Sequence, residues 1–453
     1  MESLGARFTR RRLSRVIIAG SGSHCGKTTL TCGLLEVLRH RGVDVSAYKT
    51  GPDYIDPQFL RRAGKCEVYN LDTWLMTSQQ VKQLFTHTSH GTAIIEGAMG
   101  LYDGGIHSTA SIAKILHAPV ILVIDAKSLG ESAAAIALGF REYDHDVNLA
   151  GVILNRAGSD YHVKIIADEL SRVGIKCLGA MRRNDELIIP ERHLGLACEG
   201  RYDAEKLRLA VEAGIDIDEI MRISGSVCEL RADYPEIRPS AERVRVGAAR
   251  DEGFTFYYPE SLGVLEAMGA EIVYFSPIHD KCLPDADGYI FGGGFPEMYA
   301  GELAANASML ASVRQNVRPV LAECGGYMYL CRSLKDLEGR VHEMAGIIPC
   351  DAVMTKRAVL GYMEARALRR NIICDEGAAI RGHEFHYSRI EPEGHCAFTL
   401  TRRGTDTQYF GGYAHENILA SYLHMNFFGN PALAERFILS CKTLRTHSHQ
   451  TQH

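Results

Sequence analysis

VIIAGSGSHCGKTT, residues 16–29, is the stretch on which the fold turns. A short apolar run, Val16 to Gly20, enters a glycine-rich loop and then a helix-forming segment opening at Lys27. Such a loop aims backbone N–H groups and a helix N-terminus at phosphate oxygens, because both carry unsatisfied positive partial charge. On this reading Gly20, Gly22 and Gly26 shape the loop, Lys27 reaches the terminal phosphates, Thr28 offers its hydroxyl to Mg²⁺, and Thr29 completes the cradle. The usual spacing is G-x-x-x-x-G-K-[ST], whereas here Ser21 stands at the first glycine position and Gly20 lies one residue earlier. A ligand-free strand-to-helix turn would account for the glycines but not for the Gly-Lys-Thr-Thr ending.

Working outward, short apolar runs alternate with amphipathic segments of helix length. VDVSAYKT, TAIIEGA, PVILVIDA and LAGVILN read as further buried strands, so the first half is expected to be a doubly wound α/β sheet with mainly parallel strands. The pattern lapses in a polar stretch with two prolines near residues 222–243, and resumes with VRVGAAR, AEIVYFSP, GYIFGGG and PVLAECGG. The chain therefore divides into a basic arm (1–13), a nucleotide domain (14–225), a linker (226–243), a second α/β domain (244–440) and a flexible tail (441–453). A length of 453 residues suits two domains.

Composition narrows the function classes. A net charge of −5 gives no general attraction to nucleic acid, and no apolar run approaches the length of a membrane span. Thirteen scattered cysteines, an odd number with no CxxC pair, point to a reducing compartment and a cytoplasmic enzyme. The basic stretch RFTRRRLSR lacks the features of a secretory signal, and the His-rich end THSHQTQH reads as a solvated tail.

KTGPDYIDP (49–57) and IIEGAMGLYDG (94–104) each place carboxylates just after an expected strand. Ligands in open α/β sheets gather at those strand ends, so Asp53, Glu96 and Asp103 are expected to join Thr28 around Mg²⁺ beside the ATP phosphates. Capping of helices or turns is the alternative role for each of the three. In the second half, PVLAECGGYMYL puts Cys324 on a sharp strand-to-helix turn, where a helix N-terminus favours thiolate and Gly325 lets substrate approach. Upstream, IFGGGFPE offers Gly293 and Gly294 as oxyanion donors, together with Gly325. SYLHMNF supplies His424 as a base for the thiol, with His415 in YAHEN as a rival. The aromatic run FTFYYPE, 254–260, reads as core packing or domain contact before it reads as a ligand platform.

With these residues in hand, the chain resembles the cobyrinic acid a,c-diamide synthase family over residues 14–440. KTGPDYIDP, NLDTW, EGAMGLYDG, PERHLGL, ARDEGFTFYYPE, GGGFPE, AECGGYMYL, RGHEFHYS and ASYLHMNF occur in that family's order. The resemblance implies an N-terminal P-loop synthetase domain similar to dethiobiotin synthetase, whose loop spacing the Gly20 start also matches. It implies a C-terminal class I glutamine amidotransferase domain. The activity it implies is that of a ligase converting the a- and c-side-chain carboxylates of cobyrinic acid into carboxamides, with ATP and Mg²⁺ for phosphorylation and L-glutamine as nitrogen donor. Cys324 and His424 then release ammonia through a glutamyl thioester, and Asp53, Tyr54 and Ile55 match a segment that touches nucleotide or tetrapyrrole. A homodimer is left open.

One departure stands out. The wider amidotransferase class carries a His-x-Glu pair, but here Asn426 follows His424, so the third member of the triad is absent or replaced and slow free glutaminase activity is expected. Glu384 in RGHEFHYS is a candidate for orienting a catalytic group, with a structural role equally open. Hydrogenobyrinic acid, nickel-sirohydrochlorin and sirohaem are alternative substrates sharing the same motifs. A regulatory P-loop ATPase with a degenerate amidotransferase domain is the alternative of another class, but it would be expected to have lost Cys324.

Overall fold

A computed structural model describes residues 13–187, 189, 202–233, 237, 239, 242–391 and 394–450. The expected basic arm (save Leu13), the PERHLGL string and the last three residues lie outside this range. The chain forms two compact units, Met1–Pro235 and Glu236–His453.

Among the described residues the first unit has seven strands: β1 (Ser14–Gly20), β2 (Val45–Thr50), β3 (Val68–Leu71), β4 (Thr92–Glu96), β5 (Val120–Asp125), β6 (Leu149–Ala157) and β7 (Cys177–Arg182). They pair in the order β3-β2-β4-β1-β5-β6-β7, every pairing parallel. A sheet covered by helices on both faces needs strands apolar on both sides, and β1, β4 and β5 are buried along nearly their whole length. Because β1 lies between β4 and β5, successive connections leave it in opposite directions, and the crevice at its C-terminal end is where such a sheet accepts a ligand. The loop 20–26 sits there and leads into α1 (Lys27–His40). Helix α1 carries Gly33 where it meets the helix Ala204–Gly214, and a Cβ there would press into Val211 and Leu207.

The first unit extends beyond the expected boundary at residue 225. Arg15 is fully buried on β1 and donates to the carbonyl oxygens of Leu116 (2.6 Å), Leu13 (2.8 Å) and Cys228 (3.0 Å). A buried guanidinium needs acceptors, so it pins residues 227–230, where Val227 and Leu230 are themselves buried. The expected linker therefore begins later than residue 226.

Among the described residues the second unit has twelve strands. They are β8 (Val244–Ala249), β9 (Ala270–Phe275), β10 (Gly288–Phe291), β11 (Val320–Glu323), β12 (Cys331–Lys335), β13 (Val341–Glu343), β14 (Ile348–Ala367), β15 (Ala379–Ile390), β16 (Cys396–Arg402), β17 (Gln408–His415), β18 (Ile418–Ser421) and β19 (His424–Met425). A parallel core, β9-β8-β10-β11-β18, carries the apolar strands. An antiparallel extension through β17, β16, β14 and β15 follows, which the alternation of runs in the sequence did not signal. Its strands are half-exposed, so their apolar residues alternate with charged ones and form no continuous run. The tail expected from residue 441 is also displaced: the helix Pro431–Gln450 continues through it, and Cys441 is fully buried against Gly288.

Candidate active sites

In the first unit the backbone closes the phosphate loop before any side chain acts. Ser21 N–H donates to Val123 O, and Leu101 N–H donates to Gly20 O, so the loop is tied to β5 on one side and to the segment after β4 on the other. Gly26 adopts φ 90°, and a Cβ there would overlap the Asn155 amide, whose Nδ2 donates to Cys25 O at 2.9 Å. Both constraints leave glycine as the residue that fits. Lys27 is buried, and its Nζ lies over the loop within 2.9 Å of Gly22 O.

Thr28 and Glu96 meet as the sequence reading expected: the Thr28 hydroxyl donates to Glu96 Oε1 at 2.6 Å. Glu96 is fully buried at the end of β4, and its Oε2 has no hydrogen-bond partner. Lys49, at the end of β2, places Nζ 3.0 Å from Glu96 Oε1 and 2.7 Å from Asp56 Oδ2. Burial pushes the Glu96 carboxyl up to about 7, and Lys49 offsets part of that rise. Desolvation works against the Lys49 ammonium, but Asp56, Glu96 and Asp53 together hold it charged.

The other two acidic candidates do not complete a cluster. Asp53 Oδ1 accepts from the N–H groups of Ile55 (2.8 Å) and Asp56 (3.2 Å), closing the turn that starts the next helix. Asp103 Oδ2 accepts from Gly100 N–H at 2.8 Å and shapes the loop that abuts Gly22. Among the described residues no group of three or more His, Cys, Asp and Glu side chains is placed to hold a metal. Of the four residues Thr28, Asp53, Glu96 and Asp103, the structure brings Thr28 and Glu96 into direct contact, while one oxygen each of Asp53 and Asp103 closes a short turn. Tyr54 and Ile55 are buried in this segment. Beside Gly26 and Thr29 opens a cavity of about 280 Å³ lined by Asn155, Arg156, Lys127, Arg182 and Arg183. None of these five, nor Lys49 and Asp56, was singled out from sequence; three of them lie in the strings KTGPDYIDP and LAGVILN, quoted for other reasons.

In the second unit Cys324 sits between β11 and the helix Gly325–Leu330 at φ 47°, ψ −101°. This left-handed, strained geometry turns a side chain out of the strand-to-helix corner and is found where surrounding structure over-determines it. The Gly325 N–H supports the sulfur, but burial, followed by the Glu297 carboxyl, pushes the Cys324 thiol well above its ordinary value. The turn alone therefore does not supply a thiolate, contrary to the expectation from the helix N-terminus. The helix has only six residues, and desolvation of a nearly buried thiol outweighs its dipole.

The 292–294 loop faces this corner. A Cβ on Gly325 would stand 3.0 Å from Gly294 N, and a Cβ on Gly293 would stand 2.7 Å from His424 Cε1. The Gly293–Gly294 loop accordingly abuts both Gly325, next to Cys324, and His424, while the Cys324 thiol itself donates to Phe385 O at 3.6 Å. His424 is fully buried on β19, its ring stacked on His383 of β15 with centroids 5.0 Å apart. Burial, then the neighbouring His424 ring, holds His383 neutral. The rival His415 is exposed on β17, with its ring against His395.

Asn426 is engaged elsewhere, donating to Glu260 Oε1 at 2.9 Å and accepting from Gly429 N–H at 2.8 Å. Glu384 points to the opposite face of β15 from His383 and bonds the Tyr409 hydroxyl. The carboxylate that does approach His424 is Glu323, with Oε2 at 3.5 Å from Nδ1. It lies in the quoted string AECGG beside the nucleophile, and nothing in its spacing marked it. Phe254, Phe256 and Tyr258 are buried, with T-shaped ring contacts from Phe254 to Tyr329 and from Phe256 to Phe295, so this run is core.

Residues 16–196 match the CobQ/CobB/MinD/ParA nucleotide binding domain, and residues 245–432 match the CobB/CobQ-like glutamine amidotransferase domain. The cobyrinate a,c-diamide synthase of Dehalococcoides mccartyi (strain CBDB1) is 40% identical over 459 residues, covering 95% of this chain and 99% of that one. The chain belongs to the cobyrinate a,c-diamide synthase family. Members from Methanothermobacter thermautotrophicus (40% identical, 93% of this chain and 98% of that one) and Salmonella typhimurium (38%, 94% and 98%) match along equally complete lengths. The family's two domains coincide with the two constellations above: the P-loop with Thr28 and Glu96 in the first, Cys324 with His424 in the second. No helix among the described residues is long and apolar enough to cross a membrane.

Proposed function

We propose that this chain uses ATP and L-glutamine to amidate the a- and c-side-chain carboxylates of cobyrinic acid. The observation that carries the reading is the strained Cys324 corner beside the Gly293–Gly294 loop that also abuts His424, joined in one polypeptide to a phosphate loop.

A free carboxylate has no leaving group for ammonia to displace, so the synthetase half transfers the γ-phosphoryl of ATP to it. Lys27, the N–H groups of the loop and Thr28 hold the phosphates, and the cationic cavity beside Asn155 supports a seat for the rest of the nucleotide. Thr28 and Glu96 fit Mg²⁺: it takes one or two carboxylates plus phosphates and water, and Glu96 Oε2 is a buried oxygen without a partner. When bound there, the cation would neutralise charge on the transferring phosphoryl group. Lys49 offsets part of the burial that raises Glu96 and holds its carboxyl in place.

In the other half, Cys324 attacks the glutamine amide after its proton passes to His424. The Gly294 and Gly325 N–H groups are the oxyanion donors, ammonia leaves, and water then frees glutamate from the thioester. Ammonia displaces phosphate from the acyl phosphate to give the carboxamide. None of the twelve described cysteines is in a disulfide, which supports a reducing, cytoplasmic setting.

The test is amidation by purified protein with ATP, Mg²⁺ and glutamine, offering cobyrinic acid and nickel-sirohydrochlorin separately and following product mass. Two OH-to-NH₂ exchanges on cobyrinic acid are expected. Cys324→Ala should abolish glutamine-dependent turnover and keep ammonia-dependent turnover. Reaction of nickel-sirohydrochlorin alone would refute the substrate assignment and leave the chemistry standing.

A further inference from the structure

The third member of the cysteine–histidine machinery is missing from the position where a His-x-Glu pair would put it, because Asn426 is bonded to Glu260 and Gly429. A base that takes the Cys324 proton at one ring nitrogen needs its other nitrogen held, to fix the ring's orientation and to offset the imidazolium charge that forms.

We infer that Glu323, the residue immediately before the nucleophile, supplies this function as the positioning carboxylate of His424. The inference rests on the glutaminase reading above. Residue Glu323 ends β11 and pairs in register with Ser421, which ends the parallel neighbour β18; three residues later the chain reaches His424. Two adjacent parallel strand ends thus bring together residues far apart in sequence. Glu323 Oε2 stands 3.5 Å from His424 Nδ1, and Glu323 Oε1 accepts from Met425 N–H at 3.2 Å. The carboxylate is therefore anchored by the backbone next to the histidine it faces, so its second oxygen is aimed at the ring.

The other groups around the imidazole do not compete for this role. The His383 ring stacks on it and carries no charge, Gly293 contributes only backbone, and Tyr258 bonds His383 at 3.3 Å. Glu297 and Glu384 act on the Cys324 thiol, and Glu260 is held by Asn426. Glu323 also disfavours a lone thiolate at Cys324, so it assists only when the thiol proton has moved onto His424. In that step the S–H bond breaks, a proton bonds to Nε2, and the Nδ1–H of the imidazolium donates to Glu323.

Glu323→Gln tests this with little disturbance, because an amide oxygen still accepts from Met425 N–H while the charge is lost. Glutaminase kcat should fall about 10–100-fold, the loss for a bond to a charged partner, with KM for glutamine and ammonia-dependent amidation unchanged. Glu323→Asp should recover part of the loss. A Glu323→Gln variant with parental kcat, or one whose defect lies in KM, overturns the inference, as does a Glu323→Asp variant no better than Gln. A parent protein without glutaminase activity overturns the reading on which it rests, and the inference with it.

Discussion

Gly293→Ala probes the second site through a single methyl group. The added Cβ would sit 2.7 Å from His424 Cε1 and 3.1 Å from Phe256 Cβ, well inside ordinary carbon–carbon contact. Gly293 does not adopt a left-handed conformation, so the perturbation is purely steric. Neither neighbour can yield easily: the His424 ring is wedged against His383 and is fully buried, and Phe256 is locked edge-on to Phe295. Relieving the clash needs a movement of about 1 Å, and a misplacement of that size costs roughly 100-fold in rate when it falls on a reacting group. Overpacking should also destabilise the second unit by about 1–3 kcal/mol. The assay compares kcat for glutamine hydrolysis with ammonia-dependent amidation, alongside the unfolding midpoint. The expected result is a glutaminase defect near two orders of magnitude with ammonia-dependent amidation retained. A variant that hydrolyses glutamine at the parental rate would refute the placement of His424 against the Gly293 loop, and with it the role given to that histidine.

Three further perturbations bear on the first unit. Gly26→Ala must place a side chain at φ 90° against Asn155, so a stability loss of about 1–2 kcal/mol for the conformation alone is expected, with nucleotide binding abolished in a calorimetric titration. Because burial raises Glu96 to about 7, its proton must leave before a cation can bind; the Mg²⁺-dependent part of ATP affinity should strengthen as pH rises from 6 to 8 and vanish in Glu96→Gln. Affinity that is flat with pH and equal in that variant would remove Glu96 from the cation site. Arg15→Met strands the carbonyl oxygens of Leu116 and Cys228, at about 1–3 kcal/mol for each buried acceptor left unmet, and should lower the thermal midpoint of the first unit without changing glutaminase kcat.

The sequence alone determined what contiguous residues can encode. Val16 to Thr29 specify a strand, a turn and a helix start within one local segment, so phosphate-loop geometry follows from residue type and order. The same holds for Cys324, since an apolar strand ending in Cys-Gly-Gly forces the corner that the structure displays at φ 47°. Burial of the aromatic run near Phe254 was legible too, because clustered aromatic rings carry a large apolar surface that favours packing. Tertiary structure decided everything that depends on which strands lie side by side. Parallel pairing of β2 with β4 puts Lys49 against Glu96, and β6 beside β5 brings Asn155 to Gly26. Pairing of β11 with β18 puts Glu323 beside His424, while Asn426, nearer in sequence, is drawn off to Glu260. Asp53 and Asp103 each spend one carboxylate oxygen on a local turn, because a backbone N–H two or three residues away costs little entropy to reach. The thiol of Cys324 makes the same point in energetic form: the helix start favours its anion, but only the folded unit fixes how much water is removed, and that desolvation wins.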